Sequence, residues 1–184
     1  MNLEASSPRR VLLGVCGGVA AYKAADLVRR LRDRGAEVQV AMTADALHFV
    51  GTATFQALSG RPVRTSLWDE AAEAAMGHIE LARWPEAIIV APATANTLAK
   101  LAHGMADDLL STLCLATTAP ILVAPAMNHR MWLHPATQAN IDVLRTRGVA
   151  VVGPGVGAQA CGETGPGRMS EPADIVAALF GAAK

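Results

Sequence analysis

VLLGVCGGVAA, residues Val11 to Ala21, is the stretch that decides the fold. Its first five residues are continuously apolar, the length and character of a strand buried on both faces. Gly14, Gly17 and Gly18 interrupt the run. Beyond them Ala20, Ala24, Leu27, Val28 and Leu31 recur at helical spacing, and Gly35 stands where a helix C′ glycine belongs. Arg9 and Arg10 ahead of the run give it the look of a secretory leader. The glycines and the helix that follows at once argue instead for a core strand and its turn.

The same strand–turn–helix unit recurs along the chain. Glu37–Met42 reads as a second strand, and Ala87–Ala91 as a third ended by Pro92. Helices follow around Thr97–His103 and Asp107–Thr117. Ile121–Ala124 is a fourth strand, ended by Pro125. A helix from Pro135 to about Arg147 stops at Gly148, and Ala150–Val152 is a fifth strand. Glu171–Ala183 closes the chain as a helix with Ser170 as N-cap. Such alternation predicts α/β architecture: an open, doubly wound, mainly parallel sheet of Rossmann-like or flavodoxin-like type, in three α/β/α layers. One domain spans residues 1–184, with 1–9 expected to be flexible and 153–170 a long loop. Ligands of such sheets bind outside the strands' carboxyl ends.

Composition narrows the function. Apolar residues make up 52% and formal net charge is zero, which excludes a disordered chain and argues against nucleic acid as a partner. Arg29, Arg30, Arg32 and Arg34 are interleaved with Asp26 and Asp33, the pattern of a solvated helix face. No run of about 18 apolar residues exists, so no membrane span is expected. Cys16, Cys114 and Cys161 are odd in number and lack C-x-x-C spacing, pointing to free thiols and a reducing cytoplasm. The five histidines contain no H-x-x-x-H pair, so no metal site is expected.

Every unusual segment falls at a strand's carboxyl end. In the glycine loop, Gly17, Gly18 and Ala20 let backbone N–H groups at a helix start face a phosphate; tight packing alone is an equally good reading. The second strand ends in Met42-Thr43-Ala44, a hydroxyl where a dinucleotide site would carry an acid. Pro92, Ala93, Thr94, Ala95 and Asn96 follow the third strand; Thr94 and Asn96 suit either a heterocycle or a helix cap. Pro125-Ala126-Met127-Asn128 follows the fourth, with Met131 and Trp132 beyond. Asn128 suits a ligand carboxylate or a cap, and the apolar pair suits a wall or the core. Residues 153–170 include six glycines, and a structureless stretch of that length is functional or disordered. Within it lie Ala160, Cys161, Gly162, Glu163, Arg168 and Met169. Arg168 can neutralise an anion or pin the loop, and Cys161 is the best-placed thiol for chemistry. His78, after Gly77 and before Glu80, sits at a helix start and can act as a base.

Together, Gly17-Gly18-Val19-Ala20-Ala21-Tyr22-Lys23, His78-Ile79-Glu80-Leu81, Pro92 to Thr97, P-x-M-N-x-x-M-W at 125–132 and A-C-G-x-x-G-x-G-R-M at 160–169 resemble the homo-oligomeric flavin-containing cysteine decarboxylases. The likeness is strongest to the coenzyme A-type members and covers the chain from Val11 onward. It implies FMN as cofactor, held by Gly17, Gly18, Ala20, Thr43, Pro92, Ala93, Thr94, Ala95 and Asn96, with Ser111 and Met127 lining the flavin. It implies His78 assisting substrate oxidation, Asn128 binding the substrate carboxylate and Cys161 donating a proton from a flap over the substrate. Met131, Ala160, Gly162, Arg168 and Met169 would complete the substrate site. The implied substrate is 4′-phospho-N-pantothenoylcysteine: the flavin oxidises its thiol carbon to a thioaldehyde, carbon dioxide leaves as the enethiolate forms, and hydride and proton return to give 4′-phosphopantetheine. A trimer, or a dodecamer of trimers, is implied, with a fused or separate ligase as partner and His78 facing a neighbour's flavin. Cys16 departs from the hydroxyl residue that relatives often carry there. The alternatives are a peptidyl-cysteine decarboxylase, a flavin prenyltransferase and a non-catalytic flavin-binding subunit. The Ala-Cys-Gly-Glu flap argues against the first two, and the complete His–Asn–Cys set against the last.

Overall fold

The computed structural model describes residues 8–160 and 162–181. The apolar runs pair side by side as five parallel strands: β1 (Arg10–Val15), β2 (Glu37–Met42), β3 (Ala87–Ala93), β4 (Ile121–Pro125) and β5 (Ala150–Val151). Their order is β2-β1-β3-β4-β5, the flavodoxin-like arrangement. Val11, Leu12, Leu13 and Val15 have no exposure, and β3 is buried along its whole length, as a sheet covered on both faces requires.

The helices are α1 (Tyr22–Asp33), α2 (Thr52–Ser59), α3 (Glu70–Ala75), α4 (His78–Arg83), α5 (Ala95–His103), α6 (Leu109–Ala116), α7 (His129–Leu133), α8 (Pro135–Thr146) and α9 (Pro172–Phe180). α1 packs against α2 and α9 over one face, burying Leu27, Leu31, Phe55 and Ile175 with Leu13 and Val40. On the other face α4 lies against α6, α6 against α5 and α5 against α8. There Leu81, Leu98, Leu110 and Ile141 meet Leu12, Ile88 and Val90. A Cβ on Gly14 would stand 2.9 Å from Leu110 Cδ2, so this glycine lets α6 lie directly on β1.

Several sequence expectations shift. β3 does not end before Pro92 but runs to Ala93: the Pro92 carbonyl accepts the Cys16 N–H at 3.3 Å, and a register shift against β4 accommodates the missing proline N–H. The last helix starts at Pro172 with Glu171 at its N-cap, so Ser170 is not the cap; proline at the first helical position sets that boundary. Residues 153–170 are not structureless. They contain an antiparallel hairpin of β6 (Gly155–Ala158) and β7 (Thr164–Arg168). Of the segment expected to be flexible, residues 1–7 lie outside the described residues, while Arg9 donates its N–H to Glu86 and accepts from the Glu37 N–H. No described helix is long and apolar enough to cross a membrane.

Candidate functional site

β2 and β3 flank β1, so the chain's winding reverses beside β1 and a crevice opens at the carboxyl ends of β1 and β3. The glycine loop forms one wall. A Cβ on Gly17 would lie 2.8 Å from the Asp45 carbonyl carbon, so that glycine is fixed by the segment after β2. Gly18 is extended and a Cβ there would meet nothing within 4 Å: its bareness serves no packing contact among the described residues. Ala20 follows in a short helical turn, Val19–Ala21, whose last N–H returns to the Gly18 carbonyl. The Thr43 hydroxyl is buried with no hydrogen-bond partner among the described residues, while its backbone N–H bonds the Val15 carbonyl at 3.0 Å. An orphaned hydroxyl beside a bare glycine face fits a ligand that brings acceptor oxygens, as a phosphate does.

Pro92 and Ala93 form the buried floor. Thr94 caps α5, its hydroxyl accepting the Thr97 N–H at 3.2 Å, so its cap reading is realised. Asn96 is exposed on the first turn. The Thr97 hydroxyl donates to Cys16 Sγ at 3.2 Å, tying the end of β1 to α5. Burial pushes the Cys16 thiol up to about 11, and burial likewise pushes Cys114 up to about 12, so both stay protonated at neutral pH. Ser111 is buried, and its hydroxyl donates to Asp108 Oδ1 (2.9 Å) within the capping box of α6. Lys100 pairs with Asp107 and Asp108 at 2.8 Å, closing this corner.

The hairpin docks on the other side, at the end of β4. The Met127 N–H donates to the Gly167 carbonyl at 2.9 Å. A Cβ on Gly167 would collide with the Met127 carbonyl and stand 2.5 Å from Gln159 Nε2, and one on Gly165 would stand 2.8 Å from His129 Cβ. Gln159 pins the arrangement: its Oε1 accepts the His129 N–H at 3.0 Å, and its Nε2 donates to the Met127 carbonyl at 3.2 Å. Asn128 is the N-cap of α7, Oδ1 accepting the Arg130 N–H at 2.8 Å, while Nδ2 donates to Glu163 Oε2 at 2.9 Å. Met131 is about half exposed (49%) and Trp132 is buried, so the pair splits between wall and core. Arg168 is exposed beside Gly157 of the paired strand, and Met169 is buried in the core near Ile175. Ala160 and Gly162 flank the turn, where the Gly162 N–H returns to the Gln159 carbonyl; Cys161 lies outside the described residues.

His78 opens α4, as the glycine before it implies. Arg64 pairs with β2 near Ala41 and donates to the Met76 carbonyl at 2.7 Å, which holds this corner at the carboxyl end of β2. β2 and β4 lie three strand spacings apart, roughly 14 Å. The fold therefore gathers the glycine loop, Thr43, the 92–97 segment, Asn128 and the hairpin along one edge, with His78 at its far end. The sequence marks Glu163 only as part of the Ala-Cys-Gly-Glu flap and gives Gln159 no role; a polar side chain in a glycine-rich stretch carries no periodic signal.

The Flavoprotein family matches residues 2–184. The chain is 57% identical over 175 residues to the Coenzyme A biosynthesis bifunctional protein CoaBC of Vibrio vulnificus (strain YJ016), covering 95% of this chain and 44% of that protein. It thus spans less than half the length of the curated relatives it matches. Among solved structures, a mutant PPC decarboxylase complexed with pantothenoylaminoethenethiol superimposes with TM-score 0.80 at 34% identity, covering 92% of this chain and 95% of that one. The FMN binding protein AtHal3 superimposes with TM-score 0.78 at 35% identity, covering 95% of both chains.

Proposed function

The chain belongs to the Flavoprotein family, and from that premise we propose that it binds FMN and decarboxylates 4′-phospho-N-pantothenoylcysteine to 4′-phosphopantetheine, a step of coenzyme A synthesis. Similarity to a two-activity coenzyme A protein and to a PPC decarboxylase supports the substrate. One observation carries the reading: a side-chain amide at a strand end, under a docked glycine-rich hairpin, already presents its N–H to a carboxylate, as Asn128 Nδ2 does at 2.9 Å.

The residues fit the cofactor. Gly17, Gly18 and the first turn of α1 would face its phosphate, the Thr43 hydroxyl would gain a partner, and the 92–96 segment with Met127 would border the ring. FMN, when bound there, would supply a two-electron sink for the thiol-bearing carbon, with no net redox change over the turnover. Asn128 holds the substrate carboxylate on the hairpin side, so the bond that breaks lies beside the crevice. Cys161 gives a proton to the enethiolate after carbon dioxide has left. The docked hairpin, pinned by Gln159, keeps water from that carbanion-like species. His78, at the far end of the edge, serves the oxidation step at a neighbouring copy's flavin in a trimer or a dodecamer of trimers. A fused or separate ligase would deliver the substrate, in the reducing cytoplasm that free thiols favour.

The test is turnover by the flavin-loaded protein of phosphopantothenoylcysteine against a peptide ending in cysteine. Release of carbon dioxide from the first alone is the expected result. Preference for the peptide would overturn the substrate, and colourless protein inert to both would overturn the activity.

A further inference from the structure

Glu163 has no task in that reaction, yet it is the nearer of two acceptors on the Asn128 amide, Glu163 Oε2 at 2.9 Å and Gln159 Oε1 at 3.4 Å. The Asn128 amide is oriented by its own cap bond: Oδ1 takes the Arg130 N–H, which turns Nδ2 toward the hairpin. Glu163 Oε2 receives that Nδ2 at 2.9 Å and lies 3.4 Å from His129 Nδ1, while Oε1 lies 3.6 Å from Arg130 Nη2. One oxygen on an amide N–H and the other toward a guanidinium is the environment a bound substrate carboxylate would need. The Glu163 side chain is 39% exposed, so it can turn into water without desolvation cost. The Asn128 amide nitrogen has two N–H groups, and Glu163 Oε2 and Gln159 Oε1 take both, so a substrate carboxylate must displace one acceptor; like charges at that distance repel, which makes Glu163 the one that leaves.

We propose that Glu163 is a built-in stand-in for the substrate carboxylate. It fills the Asn128 subsite while no substrate is bound, and a ligand reaches Asn128 only by exchanging its own carboxylate for Glu163. The proposal rests on the role given to Asn128 under Proposed function. Its consequence is asymmetric. A carboxylate ligand competes with Glu163 and binds more weakly than its contacts alone allow. A ligand that has lost the carboxylate meets no competition, and Glu163 returns to keep Asn128 satisfied as carbon dioxide leaves. Glu163 is thereby specificity-determining: it separates the affinities of substrate and product at this subsite.

The test uses the full chain loaded with FMN and two calorimetric probes. N-pantothenoylserine 4′-phosphate keeps the carboxylate but carries a hydroxyl in place of the oxidisable thiol; N-pantothenoylethanolamine 4′-phosphate lacks the carboxylate. Glu163→Ala is expected to tighten the serine probe by roughly three- to ten-fold, the net worth of one partly solvated hydrogen bond, and to leave the ethanolamine probe unchanged. Glu163→Gln, which keeps shape and loses charge, should give a smaller gain of the same sign. In an Asn128→Ala background the gain should vanish. Weaker binding of the serine probe to both variants, or equal shifts for both probes, would overturn the stand-in. If wild type binds both probes and the variants match it, the stand-in alone falls. If wild type binds neither probe, the substrate reading falls and takes the stand-in with it.

Discussion

The glycine loop and the β6–β7 hairpin face the same crevice but are held by different means. The loop is fixed from beneath: Cys16 is buried, its N–H is spent on Pro92, and Gly17 has no room for a side chain against Asp45. The hairpin is held from the side by amides and a carboxylate that remain partly in water, through Gln159, Asn128 and Glu163. The first arrangement costs a fold to disturb, and the second costs a few exchangeable hydrogen bonds. A preformed cradle and a detachable cover are what a reaction needs when the cofactor stays and the substrate comes and goes.

Substitutions that strike one region and spare the other sharpen this contrast. Gly17→Ala should act on the fold itself, lowering unfolding free energy by about 1–3 kcal/mol, because the neighbouring backbone must shift. Gly18→Ala should leave stability nearly unchanged and impair flavin retention, since its Cβ meets nothing within 4 Å among the described residues. Equal melting losses for both variants would break the distinction. On the hairpin side, Gln159→Ala should raise KM about ten-fold, as two of its hydrogen bonds are lost, with melting temperature and flavin content unchanged. Steady-state kinetics beside a thermal melt separates these outcomes.

Smaller effects probe the cradle's polar groups. Thr43→Val should weaken FMN binding about five-fold in a fluorescence titration, yet leave apoprotein stability equal or higher, because the hydroxyl it removes is buried and unpartnered. A destabilised apoprotein would contradict the role given to Thr43. The last effect concerns the thiols and is confined to alkaline pH. Burial raises Cys16 to about 11 and Cys114 to about 12, both above the ordinary 9.0. Their contribution to stability is whole below pH 9, the unfolded value, and declines as pH climbs through the folded values. Denaturation midpoints should therefore fall above pH 9, and less so in Cys114→Ala than in the parent.

The strands of the main sheet are legible because most are short apolar runs bounded by glycine or proline; β2, with Glu37 and Gln39 among its apolar residues, is placed by Gly35 at the end of the helix before it. The carboxyl-end rule then places the crevice from those strands alone. The hairpin was illegible because Gly-Val-Gly-Ala and Thr-Gly-Pro-Gly-Arg have poor strand propensity and no alternation of apolar and polar residues. Those strands exist because Gln159 and the Met127 N–H dock them, which is tertiary information. Asn128 was legible as a candidate, but the sequence left cap and ligand holder as alternatives, and the structure shows one side chain capping with its oxygen while offering its nitrogen. At Ser111 the capping box was missed because its partner is Asp108, three residues earlier, rather than the familiar Ser/Thr with Glu.

The most direct test of the account is an anaerobic single turnover, with flavin-loaded protein and a limiting amount of carboxyl-labelled phosphopantothenoylcysteine. The label is expected to leave as carbon dioxide in an amount equal to the substrate consumed, while absorbance in the flavin bands ends where it began, because the proposed reaction has no net redox change. Flavin left bleached at the end, or substrate consumed without labelled carbon dioxide, would contradict it.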